Sequence, residues 1–440
     1  MINGAFRGIA SGAAAGGGGG GGLPTVLLSL DAGNSGNPAY EYLNFTAVYE
    51  GCFGFPSPLD ANGWHYNDYN PSCIDLSPVS GRAIVSCRND SGSLSPRIAE
   101  IQIPTLYSGS TRASIPSATV TRALFDAVAA APSNNDIWAG GPRIQGIKCV
   151  GDKVVVNAYG DYDLGGSGSV TQTTMVLDNS SGPSPTGARG WYEFVRAPGD
   201  YLGARISGWI AEIPAEFQSE LGGTHLMGGS SGNLKSGNSR HSMGPSFYVV
   251  TLTGEASITG ASPPANGSEI IVNDELMNFP LGETTSLTPE SELNNWTGSS
   301  IITTDPLWTN LSECYFAFIV PNTDTYIAFG YSGGHANGIY YLGSYRPFNE
   351  ADIYNRYWCF KVSDLLRVKS GEILPHQVRP YETGTLPLHF DGTLNGILGR
   401  TVRGGTYDPT TKKLYITTSR NDAEQASALC EVYDLSGVAA

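Results

Sequence analysis

From Leu23 onward the chain is written in apolar runs of four to seven residues, each cut off by Gly, Pro, Asn, Asp or Ser. Runs this short do not make helices, and the residues between them turn the backbone, so the pattern predicts strands joined by tight turns and loops. The clearest runs are Thr25–Leu30, Ala83–Cys87, Ile98–Ile103, Lys153–Tyr159, Thr173–Leu177 and Phe247–Leu252, then Cys314–Val320, Tyr326–Phe329, Trp358–Val362, Lys413–Thr417 and Cys430–Tyr433. Helical signals are few. Pro214–Leu221 has Pro in its first turn and Gly222-Gly223 as its stop. Ser363–Val368 and Arg122–Ala130 are the other two candidates. The expected class is all-β.

A weak repeat organises these strands. Gly146-Ile-Lys-Cys149 leads through a turn into Lys153-Val-Val-Val156, and Gly404-Gly-Thr-Tyr407 leads through Asp408-Pro409 into Lys413-Leu-Tyr-Ile416. Each passes polar residues and reaches a strand ending in aspartate, Thr174–Asp178 or Cys430–Leu435, and Cys359–Leu365 is a third copy of that last strand. Sheets of three or four antiparallel strands cannot cover both their own faces, but packed radially each covers the next. Gly404–Leu435 resembles a generic β-propeller blade, with a Tyr-Asp-Pro turn before a Leu-Tyr-Ile strand and a Val-Tyr-Asp-Leu strand after it. The resemblance implies a propeller over residues 25–440 with about five blades, in a range of five to seven. A pair of β-sandwiches is the alternative. Residues near 25–50 are expected to close the ring against Gly404–Leu435. The segments 53–78, 222–245, 253–300 and 331–356 are expected to be face loops.

Residues 1–24 are different. Ala13–Gly22 is an Ala/Gly run inside a nearly uncharged segment, and free poly-glycine is a flexible coil. Order there has to come from contacts outside the chain, because glycine loses the most backbone entropy on ordering. The expectation is an anchoring tail threaded into a narrow groove of a larger assembly. Gly16 and Gly22 would lie in the groove, with Met1, Ile2, Phe6 and Ile9 as apolar anchors at the far end. Such a Gly-rich leader before a β-domain resembles phage fibre and decoration proteins in style.

Charge narrows the partners. Charged residues make up 15% of the chain, against roughly 25% in an ordinary soluble domain, and the net charge is −15 with no basic cluster. Attraction to nucleic acid or to anionic lipid is not expected. No apolar stretch is long enough to span a membrane, and residues 1–24 lack the Leu-rich stretch of a secretory signal. The seven cysteines form no CxxC pair, and no His sits at zinc-finger spacing, so no structural metal is expected. Core thiols are the simpler reading, with Cys52–Cys73 the one pair placed to form a loop disulfide.

No catalytic motif stands out, and no cofactor is implied. Residues 331–358 carry Tyr331, His335, Tyr340, Tyr341, Tyr345, Phe348, Tyr354, Tyr357 and Trp358 with glycines between them. Aromatic rings on a Gly-hinged loop suit stacking on sugars or a partner, or else they pack on themselves. Tyr340, Tyr341, Tyr345, Trp358 and His335 are the candidate ligand contacts, joined by Arg205 and Trp209 from the stretch Arg205–Glu220. Trp64, His65, Tyr66 and Tyr69 form a second cluster with the same two readings. Glu216 and Glu220 are one helical turn apart and read more simply as a solvated face than as a hydrolytic pair. Asp161-Tyr-Asp163-Leu-Gly165 lacks the distal Glu of a calcium loop. The expectation is a non-enzymatic virion surface, fibre or decoration protein, oligomeric in its assembly, whose loops bind cell-surface glycan or a receptor. The alternative is a secreted propeller enzyme acting on glycans.

Overall fold

The computed structural model describes residues 26–30, 45–56, 64–66, 73–89, 97–127, 142–160, 170–230, 241–289, 293, 307–341, 345–386, 388–390, 399–419 and 428–437. The chain is a five-bladed β-propeller. Blade 1 is built of β3 (Trp64–Tyr66), β4 (Ile74–Leu76), β5 (Ala83–Asn89), β6 (Arg97–Gln102) and β7 (Thr119–Asp126). Both β3 and β4 pair with β5, so the inner strand of this blade is split in two. Blade 2 runs β8 (Pro142–Val150), β9 (Lys153–Gly160), β10 (Gln172–Asp178) and β11 (Ser184–Val195). Blade 3 is β12 (Ile210–Glu212), β13 (His225–Met227), β14 (Phe247–Val250) and, after β15 (Glu269–Ile271), β16 (Asp274–Met277). The short β15 instead lies parallel on β11 as a fifth strand of blade 2. Blade 4 is β17 (Glu313–Val320), β18 (Thr325–Gly333), β21 (Ile353–Lys361) and β22 (Glu382–Thr385). A small hairpin, β19 (Ile339–Tyr341) and β20 (Tyr345–Pro347), is inserted between β18 and β21.

The last blade closes the ring. β23 (Val402–Asp408), β24 (Lys413–Thr418) and β25 (Leu429–Asp434) form a meander, and β2 (Phe45–Gly54) pairs antiparallel with β25 to supply its fourth strand. β1 (Val26–Leu30) adds a fifth strand on β2. The N-terminal strands therefore complete a blade made from the C-terminal end, as the repeat and the position of 404–435 led us to expect.

Alternation along each strand divides the core among the blade interfaces. On β9, Val154 and Val156 pack against blade 1, while Val155 packs against blade 3. On β5, Ile84 faces blade 2, and Ala83 and Val85 face blade 5. Strands buried on both faces read as continuous apolar runs, the pattern of Lys153–Tyr159 and Cys314–Val320. Burying each such Val contributes about 1.5–3 kcal/mol.

Two helices cap the lower face. α1 (Ala215–Leu221) ends on Gly222 in the left-handed region (φ 81°), and Lys369 Nζ donates to the Leu221 carbonyl at 2.7 Å. α2 (Val362–Lys369) starts where Asp324 accepts the Ser363 backbone N–H at 2.5 Å. The third expected helix is corrected: Arg122 lies in β7. Its guanidinium donates to the Ser181, Gly182 and Pro183 carbonyls of blade 2. Pairing with β6 and this latch between blades override the helical propensity of Arg-Ala-Leu. The Cys52–Cys73 disulfide is also corrected. All seven cysteines are free and buried, and burial pushes the Cys73 thiol up to about 12. No helix among the described residues is long and apolar enough to cross a membrane. Residues 1–25, and with them the whole expected tail, lie outside the described residues.

Candidate functional site at the axis and entry face

Each blade has four antiparallel strands running outward from the axis, so every inner strand begins on the same face. We call this the entry face. The inner strands β4, β8, β12, β17 and β23 pack against one another in a ring. Cys73, Gly146, Ile147, Trp209, Ile210, Tyr315, Phe316, Gly404 and Gly405 line the space between them, about 10 Å³ of free volume, the scale of a single water. Glycine makes this closeness possible. A Cβ on Gly146 would stand 2.1 Å from the Gly208 carbonyl oxygen, and one on Gly405 would stand 2.9 Å from the Phe316 ring on β17.

The lower end of the axis holds a buried ion pair. Lys148 Nζ on β8 lies 3.2 Å from Asp75 Oδ1 on β4. The same carboxylate accepts the Cys149 backbone N–H at 2.7 Å and the Thr406 hydroxyl, from β23, at 2.5 Å. Burial opposes the charge on Lys148, but the Asp75 carboxylate outweighs it and the ammonium is held above its ordinary pKa. Beside it, burial, with repulsion from Lys148, lowers the pKa of His225 to about 3, so this imidazole is neutral. Its Nδ1 lies 2.9 Å from the Thr224 hydroxyl.

A second cluster stands at the entry end. Arg403, from β23, lies over the Tyr315 and Tyr331 rings at 5.2 and 4.8 Å, donates to the Tyr315 hydroxyl at 2.6 Å, and sits 3.8 Å from Glu313. Burial pushes the Tyr315 pKa well above its ordinary value, so the hydroxyl keeps its proton and donates it to the Glu313 carboxylate. Gln145 donates to Tyr159, whose ring meets His241 edge-on at 5.5 Å. Both clusters thus consist of charges already matched to partners from neighbouring blades. Sequence reasoning missed them because Asp75 and Thr406 are 331 positions apart. The available signal was a lone charge inside an apolar inner strand: Lys148 in Gly-Ile-Lys-Cys, and Glu313 before Cys-Tyr-Phe.

The expected ligand contacts fall into three groups. Trp358 is corrected: it is 0% exposed, packs on Trp308 at 5.1 Å and donates Nε1–H to the Leu307 carbonyl, so it belongs to the core of blade 4. Trp209 is corrected likewise: it is 2% exposed and walls the axis. Arg205 closes a short turn of 3-10 helix between blades 2 and 3, half-buried, and its carbonyl accepts the Ser246 hydroxyl. Only His335, Tyr340, Tyr341 and Tyr345 are brought together, on or beside the β19–β20 insertion. Segment 331–358 is therefore divided: its last residues are core strand, and its middle is an entry-face hairpin.

That hairpin is firmly held. Asp352 accepts the Ala336 and Asn337 backbone N–H groups at 2.8 and 2.9 Å, Gly334 N donates to the Asp352 carbonyl, and Phe348 N donates to Gly338 O. His335 Nε2 lies 2.6 Å from the Ser332 hydroxyl, which meets Ser312 at 2.6 Å. Glu216 and Glu220 are exposed on α1, where Glu216 accepts the Asn322 backbone N–H at 2.7 Å. The Asp161–Gly165 loop and Tyr69 lie outside the described residues.

The fold and the axis define a β-propeller. No protein-family model matches the sequence, and no curated protein matches it. Among solved structures, the chain is similar in fold to an α-L-arabinofuranosidase from Podospora anserina in complex with cellotriose, at 8% identity and a TM-score of 0.32, covering 89% of this chain and 97% of that one. It is similar also to the holo form of a pyranose dehydrogenase PQQ domain from Coprinopsis cinerea, at 9% identity and a TM-score of 0.31, covering 90% and 98%.

Proposed function

We propose that this propeller is a non-enzymatic recognition module, displayed on a larger particle of the phage-virion kind, whose entry-face loops bind a cell-surface glycan or a receptor. The observation that carries the reading is the state of the axis. Asp75 serves Lys148, Cys149 and Thr406 at once, and Glu313 serves Tyr315 and Arg403. Carboxylates committed in this way tie four of the five blades together and are poorly placed to trade protons with a substrate. The groups turned toward solvent are instead aromatic and sit on a braced loop, as binding surfaces require. The Gly-rich segment ahead of the first described strand supports attachment to other subunits, since a run of alanine and glycine suits a narrow groove that larger side chains could not enter.

The test has two arms. Mass spectrometry of particles purified from the source culture is expected to find this chain at constant stoichiometry. Incubation of the purified protein with host surface polysaccharide is expected to give retention on the polymer with no new reducing ends. Absence from every particle fraction overturns the virion setting, and sustained release of reducing ends overturns the non-enzymatic reading in favour of a glycan-cleaving propeller.

A further inference from the structure

The β19–β20 hairpin has two unlike faces. Ile339 and Pro347 pair across it and are buried, so they fasten it to blade 4. Tyr340 pairs with Arg346, and Phe348 follows two residues on, so these three side chains share the other face. The Tyr340 and Phe348 rings are 5.1 Å apart at 45°, and Phe348 is 49% exposed. Arg346 is exposed and, among the described residues, has no ion pair or hydrogen bond. In a chain of net charge −15 an unpaired arginine on the same hairpin face as two exposed-side aromatic rings is an unusual use of a scarce cation. Glu350, the nearest acid in sequence, is exposed on the following turn and does not pair with it.

The geometry points to a binding site for a carboxylate-bearing sugar ring, with Tyr340 and Phe348 as the stacking shelf and Arg346 as the carboxylate contact. This inference rests on the recognition reading above and names its ligand class. Aromatic faces take up the C–H face of a sugar. The guanidinium fork matches a carboxylate in two parallel hydrogen bonds, a geometry that a neutral sugar cannot offer. The Asp352 brace and the buried Ile339–Pro347 pair hold the shelf in place before the ligand arrives, which lowers the ordering cost of binding.

Saturation-transfer NMR of the full-length protein with trigalacturonate and with sialyllactose, lactose serving as the neutral control, tests the assignment. Transfer to an acidic probe is expected, with the carboxylate-bearing ring closest to the protein. Arg346→Gln should weaken that binding about tenfold, the loss of a charge-assisted pair. Tyr340→Ala and Phe348→Ala should abolish it, with melting temperatures within about 2 °C of the parent, as for surface substitutions. Failure to bind either acidic probe, or binding that Arg346→Gln leaves unchanged, overturns the assignment. Acidic sugar held equally well by all three variants overturns it too, yet leaves the recognition reading standing. Shortening of trigalacturonate during the measurement overturns that reading as well.

Discussion

The residue with most at stake is Asp75. Three groups from two other blades converge on its carboxylate, and one of them is a buried ammonium. Removing one member of such a pair leaves an uncompensated buried charge and costs about 3–5 kcal/mol. Asp75→Asn should therefore lower unfolding free energy in urea by that amount, and adding Lys148→Met should restore most of it. If the double variant is no more stable than Asp75→Asn, the ion pair is not what matters at this position. His225 makes the complementary case. Its ordinary pKa is about 6.5, and in the fold it titrates near 3 because it is buried beside Lys148. Between those values the unfolded chain binds one more proton, so stability rises with pH across the window. The contribution is fully present above pH 6.5 and is lost progressively toward pH 3. The slope from this one group is about 1.4 kcal/mol per pH unit. His225→Gln should flatten the acid limb of stability by that one-proton slope between about pH 6 and 4, whatever it does to the level at neutral pH. Equal slopes for parent and variant would show that this imidazole does not titrate on unfolding.

At the scale of elements, the blades meet backbone to backbone near the axis. Gly146 on β8 of blade 2 faces the Gly208 carbonyl just ahead of β12 of blade 3, where a Cβ would stand 2.1 Å from that oxygen and 3.3 Å from the Ile210 side chain. Gly146→Ala forces inner strands apart and is expected to cost about 1–3 kcal/mol, read as a lowered urea midpoint. Gly151→Ala, in an open turn at φ 58°, controls for local strain without crowding. Every strand run singled out in the sequence is a strand, because strands buried on two faces must be apolar throughout and their turns must carry Gly, Asn or Asp. The expected face loops 53–78, 222–245 and 253–300 carry the strands β3, β4, β13, β15 and β16, which at three or four residues are too short to show as apolar runs. Arg122–Ala130 has local helical propensity, but its first residues are held in β7 by long-range partners, β6 and the 181–183 carbonyls. The same limit explains the candidate site. Aromatic density marked 331–358, yet density alone does not separate Trp358, seated on Trp308, from Tyr340, seated on an entry-face hairpin. That distinction is made by alternation across β19–β20 and β21, and the register of these strands is fixed by their partners.

On the scale of the whole molecule, closure of the ring rests on the N-terminal strands β1 and β2, not on residues 1–22 ahead of them. Residues 1–22 precede every described strand, whereas β2 supplies the fourth strand of blade 5 along Val48–Gly54. That pairing covers the N–H and C=O groups of β25, which would otherwise form an exposed sheet edge. It also contributes Phe53 and Phe55 to the core between blades 5 and 1. Two truncations therefore have opposite expected outcomes. Deleting residues 2–22 should leave the melting temperature and the one cooperative transition of the propeller in place and, on the particle-borne function proposed above, should abolish entry into particles. Deleting residues 2–56 should remove the closing strand, open blade 5 and give an aggregating, non-cooperatively melting chain. Circular dichroism melts, size-exclusion chromatography and particle co-purification read all three properties on the same preparations. If the longer deletion still melts cooperatively as a monomer, closure by the N-terminal strands is not what holds the ring. If the shorter deletion still enters particles at the parent's copy number, residues 1–22 are not the anchor, and the attachment has to be sought on the propeller's own faces.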